Sequence, residues 1–314
     1  MACPGTIRLG LCCKFEEEPI SFRMATAAGL ARLGALAARA RLSDVCLHNA
    51  LALEKAILFC AANGIGAFRV NSQILPLKTH SDAGYDIAAL DGAAEIAGQF
   101  RRCGRIARER NIRLLFHPDQ FIVINSPDPG IVRRSVADLE YHAEVAGLIG
   151  ADVVNLHAGG VYGDKAAALA RLRRSIGRLP AGIRRLLTLE NDDRCFTPAD
   201  LIPVCLDTGV PLVYDVHHHR CLPDGVSIER TTRLAIATWN REPVFHVSSP
   251  RNGWGGPAPA YHHDYINARD FPACWLGQRV TVEVEAKAKE KAVLRLRRWI
   301  GRRWREETID MQNA

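Results

Sequence analysis

The sequence predicts an α/β fold, a single (β/α)8 TIM barrel over residues 1–314, with its core at about 7–303 and its active site at the C-terminal mouth of the strands. Three observations carry this. Eight short, apolar, β-branched runs read as buried strands, and amphipathic stretches of helical length separate them. Regular strand–helix alternation with a count of eight closes a parallel barrel rather than leaving an open, doubly wound sheet. Six of the runs end on His117, His157, Glu190, Asp215, His246 and Glu285, spaced by 40, 33, 25, 31 and 39 residues, about the length of a strand–helix–strand unit.

The strands begin with IRLGLCC (7–13) and GAFRVNS (66–72). RLLFHP (113–118), DVVNLHAGG (152–160), LLTLENDD (186–193), LVYDVHHH (212–219), VFHVSS (244–249) and VTVEVEAK (280–287) complete the set, each turning polar at its C-terminal end. Helices are expected over 44–63, 89–110, 131–149, 163–178, 198–208, 227–238 and 287–303. Pro198 suits a first helical turn behind Thr197 as N-cap, and Gly150 suits the C-cap of the 131–149 helix. No Pro/Ser-rich linker divides the chain, which points to one domain. Two loops on the ligand side are long, SQILPLKTHSDAGYDI (72–87) and SPRNGWGGPAPAYHH (249–263). Long loops at a barrel mouth serve substrate binding.

Composition narrows the setting. With 314 residues and 48% hydrophobic content, the chain can bury a full core. No apolar stretch of spanning length is expected, and MACPGTIRLGLCCKFEEE lacks the layout of a signal peptide, so a cytoplasmic protein is expected. Ten scattered cysteines without a C-x-x-C then read as reduced residues, mostly core. A net charge of +7 favours a polyanionic partner.

Imidazoles and carboxylates converging on one mouth point to a polynuclear metal site. Burying that many ionisable groups together without cations would be very costly. Glu190, from a central strand, is the candidate bridging carboxylate, and Asn191, Asp192 and Asp193 follow it. Asp192 and Asp193 themselves read as a cap and an ion-pair partner of Arg194. The run His217–His219 stays open. Strand parity puts Asp215, His217 and His219 on one face, but if the strand ends at Val216, His218 can swing in. Glu283, Glu285 and Lys287 share one face of the last strand. Glu285 is nearer the mouth and is the candidate ligand, while Glu283 reads as a buried partner of Lys287 or an arginine. Glu190 and Lys287 are the catalytic candidates.

Taken together, RLG (8–10), FRVNSQILP (68–76), HPDQF (117–121), SVADLEYHAEVA (135–146), NLHAGGVYGDK (155–165), LTLENDDR (187–194), the 215–219 run, HVSSP (246–250), the 262–265 H-H-D-Y and EAKAKEKAV (285–293) resemble the UV-damage endonuclease family. That family is a branch of the barrel superfamily that includes endonuclease IV and the xylose isomerase-like proteins. The resemblance implies two or three divalent metal ions, usually Mn2+. By motif, His117, His157 and Glu190 would hold one ion, and Glu190, Asp215, His246 and Glu285 a second. His218 and His262 would complete a third. It also implies that Gln120 and Phe121, just after the first metal histidine, probe the damaged duplex. The chain departs from the family at Leu11, where a Tyr is frequent, and at Val244, where many members carry a Lys. Both positions are expected near the lesion pocket or the third metal.

The function so implied is a monomeric DNA repair endonuclease acting on double-stranded DNA. It would nick immediately 5′ of UV photoproducts, with other distorting lesions or abasic sites as further candidate substrates, leaving 3′-hydroxyl and 5′-phosphate ends. Lys78, His80, Arg251 and Trp254 on the two long loops are candidates for contacting phosphate or a flipped nucleotide. The most basic segment, RLRRWIGRRWREE (295–307), reads instead as the outer wall of the barrel, with Trp299 packed inward. The alternative is a metal-dependent sugar isomerase or epimerase of the same superfamily; the basic charge and HPDQF weigh against it.

Overall fold

The structure, a computed structural model, describes residues 7–312, with side chains described through residue 303. Its strands are β1 (Arg8–Cys12), β2 (Ala67–Val70), β3 (Arg113–Phe116), β4 (Val153–His157), β5 (Leu187–Glu190), β6 (Leu212–Asp215), β7 (Val244–Val247) and β8 (Thr281–Val284). They form a closed barrel in sequence order, as the strand–helix alternation predicts. The helices are α1 (Ala27–Ala31), α2 (Ala35–Ala62), α3 (Ala93–Glu109), α4 (Pro129–Ile149), α5 (Lys165–Arg178), α6 (Ala181–Leu186), α7 (Pro198–Thr208), α8 (Val216–Cys221), α9 (Ile228–Ala237) and α10 (Lys289–Gln312). The chain gathers into two compact units, one of residues 1–12, 65–67 and 189–314, the other of residues 13–64 and 68–188.

In the second unit α2 starts nine residues earlier than the expected 44–63. Its N-terminal part, ALAARARLS, carries little apolar periodicity, so the sequence conceals it. By length and composition α2 could cross a membrane, contrary to the expectation that no such stretch exists. Here Val45, Cys46, Leu53, Ile57 and Cys60 of α2 are buried. Helices α3 and α4 approach closely at Gly104, where a Cβ would lie 2.6 Å from the Ile149 carbonyl oxygen. Asp128 caps α4 through the Gly130 N–H, and Gly150 ends it in the left-handed region at φ 73°, as expected.

In the first unit Thr197 and Asp200 form a reciprocal capping box around Pro198, again as expected. Registers pair Asp215 with His246 across β6 and β7, and His246 with Glu283 across β7 and β8. Those three side chains therefore start from one level of the barrel wall. Short α8 was not expected. Strand β6 ends at Asp215 and coils at once, because the Asp215 carboxylate caps the turn through the His218 N–H at 2.8 Å. No described cysteine forms a disulfide; burial pushes the Cys60 and Cys103 thiols up to about 12, and such thiols are inert.

Candidate metal centre

Glu190 and Asp215 are the last residues of their strands, His246 is the third residue of β7, and Glu285 follows β8 directly. Glu190, Asp215 and His246 are essentially without solvent exposure. The His246 Nδ1 lies 3.0 Å from Glu190 Oε1, 3.4 Å from Glu285 Oε1 and 3.9 Å from Asp215 Oδ2. The His218 Nδ1 lies 3.4 Å from Glu190 Oε1 and 3.6 Å from Asp215 Oδ2. Glu190, Asp215 and His218 offer ligand atoms within 4.8 Å of one another. His262 joins at the edge, with Nδ1 3.8 Å from Glu285 Oε2. The 249–263 loop delivers it through an antiparallel bridge between Pro250 and His262 and a His263 N–H to Ser249 carbonyl bond of 2.8 Å.

The coil at α8 resolves the histidine run. His218 turns toward the carboxylates. His219 turns into the wall, between the Tyr214 hydroxyl at 2.7 Å and the Asp224 carboxylate at 2.8 Å. His217 is fully buried, with its ring 5.1 Å from that of Trp254 and 5.2 Å from that of His262. Burial lowers the His217 pKa and holds it neutral. Burial acts the same way on His218, but the charges of Asp215, Glu190 and Glu285 outweigh it and raise its pKa well above the ordinary range.

The Asp215 Oδ2 is the sharpest sign of a missing partner. Its sister oxygen caps α8, while Oδ2 is buried and has no hydrogen bond. A buried carboxylate oxygen without a donor is costly, and a divalent cation removes that cost. Carboxylate oxygens mixed with imidazole nitrogens form a donor set suited to Mn2+ and its neighbours. The residues present therefore fit a metal.

Two further residues support the site. Glu283 is buried, as expected, and its Oε2 lies 2.8 Å from His246 Nε2. Gly10, its register partner on β1, makes room: a Cβ there would sit 3.3 Å from Glu283 Cγ. The signal was available, since Glu283 lies one level below Glu285 and so level with His246. Asn191 clamps the Asp215 backbone, donating to its carbonyl at 2.8 Å and accepting its N–H at 3.0 Å. Asp192 accepts the N–H groups of Arg194, Cys195 and Phe196, and Asp193 pairs with Arg194, as the capping reading expects. Lys287 is exposed beyond β8, with its N–H on the His263 carbonyl.

In the other unit the His117 and His157 rings lie 5.0 Å apart at the ends of β3 and β4. The His117 Nδ1 faces the Pro118 carbonyl at 3.1 Å, a donor's position that leaves Nε2 as the lone-pair nitrogen. Gln120 and Phe121 follow on an exposed turn, Phe121 with 68% of its surface in solvent. That is unusual for so large an apolar ring. The turn is tied down by Gln73, which donates to Asp119 at 3.3 Å. Lys78 and His80 do not project freely. Lys78 pairs with Glu144 at 3.1 Å, and His80 Nδ1 accepts the N–H groups of Asp82 and Ala83 in its own loop. Trp254 is anchored on Asp270 by a 2.8 Å bond, with Arg220 over its ring, and Arg251 is exposed. The two departures from the family pattern, Leu11 and Val244, are fully buried core residues.

Comparison with known proteins agrees with the resemblance. The UV-endonuclease UvdE family matches residues 7–307. A UV DNA damage endonuclease of Deinococcus radiodurans is 36% identical over 310 residues, covering 94% of this chain and 96% of the relative. One from Bacillus velezensis is 34% identical over 254 residues, 77% of each chain. The crystal structure of SacUVDE shares the fold with a TM-score of 0.81 at 24% identity, over 92% of this chain and 96% of that one. Spanning nearly its whole length, these matches show that the chain belongs to the UV-endonuclease UvdE family.

Proposed function

We propose that this protein is a metal-dependent DNA repair endonuclease that cuts duplex DNA immediately 5′ of UV photoproducts. The observation that carries the reading is the buried cluster of Glu190, Asp215, His246, His218 and Glu285, in which Asp215 Oδ2 has no hydrogen bond, in a chain of this family. By the family motif, His117, His157 and Glu190 would hold one cation. Asp215, His246 and Glu285 would hold a second with Glu190 as the bridge, and His218 with His262 a third. When bound, such cations activate water and offset the charge that builds on the phosphate and on the departing oxygen.

The chain's own residues position and exclude. Glu283 accepts from His246 Nε2, which leaves Nδ1 aimed at the carboxylates. Asn191 fixes the Asp215 backbone. Phe121 and Gln120 press on the duplex at the lesion. A photodimer stacks and pairs weakly, so wedging it costs less than wedging intact DNA. Water adds to phosphorus, the bond from phosphorus to the 3′-oxygen breaks, and 3′-hydroxyl and 5′-phosphate ends result. All of these groups come from one chain, so a monomer suffices.

The test is a nicking assay on supercoiled plasmid, irradiated or not, with Mn2+ or with a chelator. The expected result is Mn2+-dependent nicking of irradiated plasmid only. Equal behaviour of the two plasmids would sink the lesion reading, and nicking that survives chelation would sink the metal reading.

A further inference from the structure

The 249–270 segment and the outer side of α10 enclose two cavities in the first unit. One, of 620 Å³, is lined in part by Arg251, Trp254, Tyr265, Arg295, Trp299 and Arg302. The other, of 540 Å³, is lined in part by Arg220, Arg269, Trp299, Arg302 and Arg303. Both linings include Ala268, Trp299 and Arg302, so the two form one continuous groove. At its inner end Trp254 lies against the His217 ring, which in turn packs on that of the candidate ligand His262.

Much of the positive charge of this groove comes from four arginines. Arg251, Arg269, Arg295 and Arg302 are exposed, and among the described residues none has a carboxylate within 4.0 Å. The carboxylate of the first cavity, Asp270, is buried and committed to the Ser249 hydroxyl, the Trp254 N–H and Arg220. The second cavity has one exposed carboxylate, Glu229. Aromatic rings hold the arginines in place. Arg295 sits 4.8 Å over Tyr265, and Trp299 packs edge-on against Phe271 at 5.9 Å. Gathered guanidinium groups repel one another, so a built groove of them stores affinity for regularly spaced anions. Arginines interleaved with apolar rings suit alternating phosphates and sugars better than a free phosphate.

We propose that this groove binds the phosphodiester backbone of the duplex flanking the lesion, so that the DNA footprint runs from the barrel mouth onto α10. The proposal rests on the DNA reading above. It also revises the sequence-level reading of 295–307 as outer wall only: Val293 and Leu296 do face inward, while Arg295 and Arg302 line the groove. The side chains of 304–307 lie outside the described residues.

The test is the salt dependence of binding to undamaged and irradiated duplex by the Mn2+-loaded protein. Each lost phosphate contact lowers the slope of log affinity against log salt by about 0.9. The double variant Arg269→Ala/Arg302→Ala should lose roughly 1.8 in slope on both DNAs. Arg269→Lys/Arg302→Lys should restore it. Arg184→Ala/Arg185→Ala on α6, which makes the same change of charge just before β5, should leave the slope alone. An unchanged slope in the first variant, or an equal drop in the α6 variant, overturns the proposal. Wild-type nicking of irradiated plasmid is scored separately. If wild type nicks and the slope stays, the groove alone is wrong; if wild type neither nicks nor binds, the DNA reading fails and takes the groove with it.

Discussion

His246 Nε2 and Glu283 Oε2 lie 2.8 Å apart at paired register positions of β7 and β8, both side chains buried. The pair is set by the two strands rather than by a loop. It determines which imidazole nitrogen faces the carboxylates of Glu190, Asp215 and Glu285. Removing the Glu283 charge should leave the ring in place but less basic and less firmly oriented. Such supporting changes typically cost about 10–100-fold in metal affinity. Glu283→Gln should therefore bind Mn2+ about 10-fold more weakly by titration calorimetry, with an unchanged circular dichroism spectrum. Wild-type affinity would show that the pair is only packing.

Glu190 is in reach of both His246 and His218. Glu190→Gln removes the shared charge while conserving shape. Strand cleavage should be abolished, and metal content by elemental analysis should fall with it. Full nicking activity in this variant would remove Glu190 as the bridge.

The exposed Phe121 ring and its neighbour Gln120 offer the clearest contact to a damaged duplex. Replacing both by Ala should spare metal content and reduce the preference for irradiated over intact DNA. Loss of one stacking ring is worth roughly 1–3 kcal/mol. An unchanged ratio of affinities would mean that these residues do not probe the lesion.

His142 gives a pH signature of stability rather than of activity. It is buried on α4, donates Nδ1–H to the Asp138 carbonyl at 2.7 Å, and leaves Nε2 without a hydrogen bond. Burial lowers its pKa to about 4. Between that value and about 6.5 the unfolded chain binds more protons than the folded one, so stability falls as pH drops through this window. The full effect is roughly 3 kcal/mol. Urea unfolding at pH 7 and pH 4.5 should show a smaller loss for His142→Phe than for wild type. Equal losses would place the acid sensitivity elsewhere.

What the sequence reveals follows from how local each signal is. Short apolar runs that turn polar at their ends mark all eight strands, because a strand buried on both faces is apolar along its length. Thr197, Pro198 and Gly150 mark helix ends because capping is a short-range interaction. Lys78 illustrates the limit. Its position on a mouth loop is legible, but its pairing with Glu144, 66 residues later, is a tertiary choice. Glu283 is intermediate: its partner could be found only by setting β7 and β8 in register. The histidine run was ambiguous because the end of β6 decides it, and strand ends carry the weakest pattern.

The coil that follows Asp215 has one more consequence. A helical turn rotates each successive residue by about 100°. His217, His218 and His219 are chemically identical, yet they meet an indole, a carboxylate cluster and a tyrosine–aspartate pair. Their roles are thus assigned by phase, counted from the capping carboxylate. Inserting one residue between Asp215 and His217, or deleting Val216, would conserve every histidine and misdeliver all of them. In this segment the spacing is more constrained than the composition, and a chain differing here in length by a single residue would be a different site.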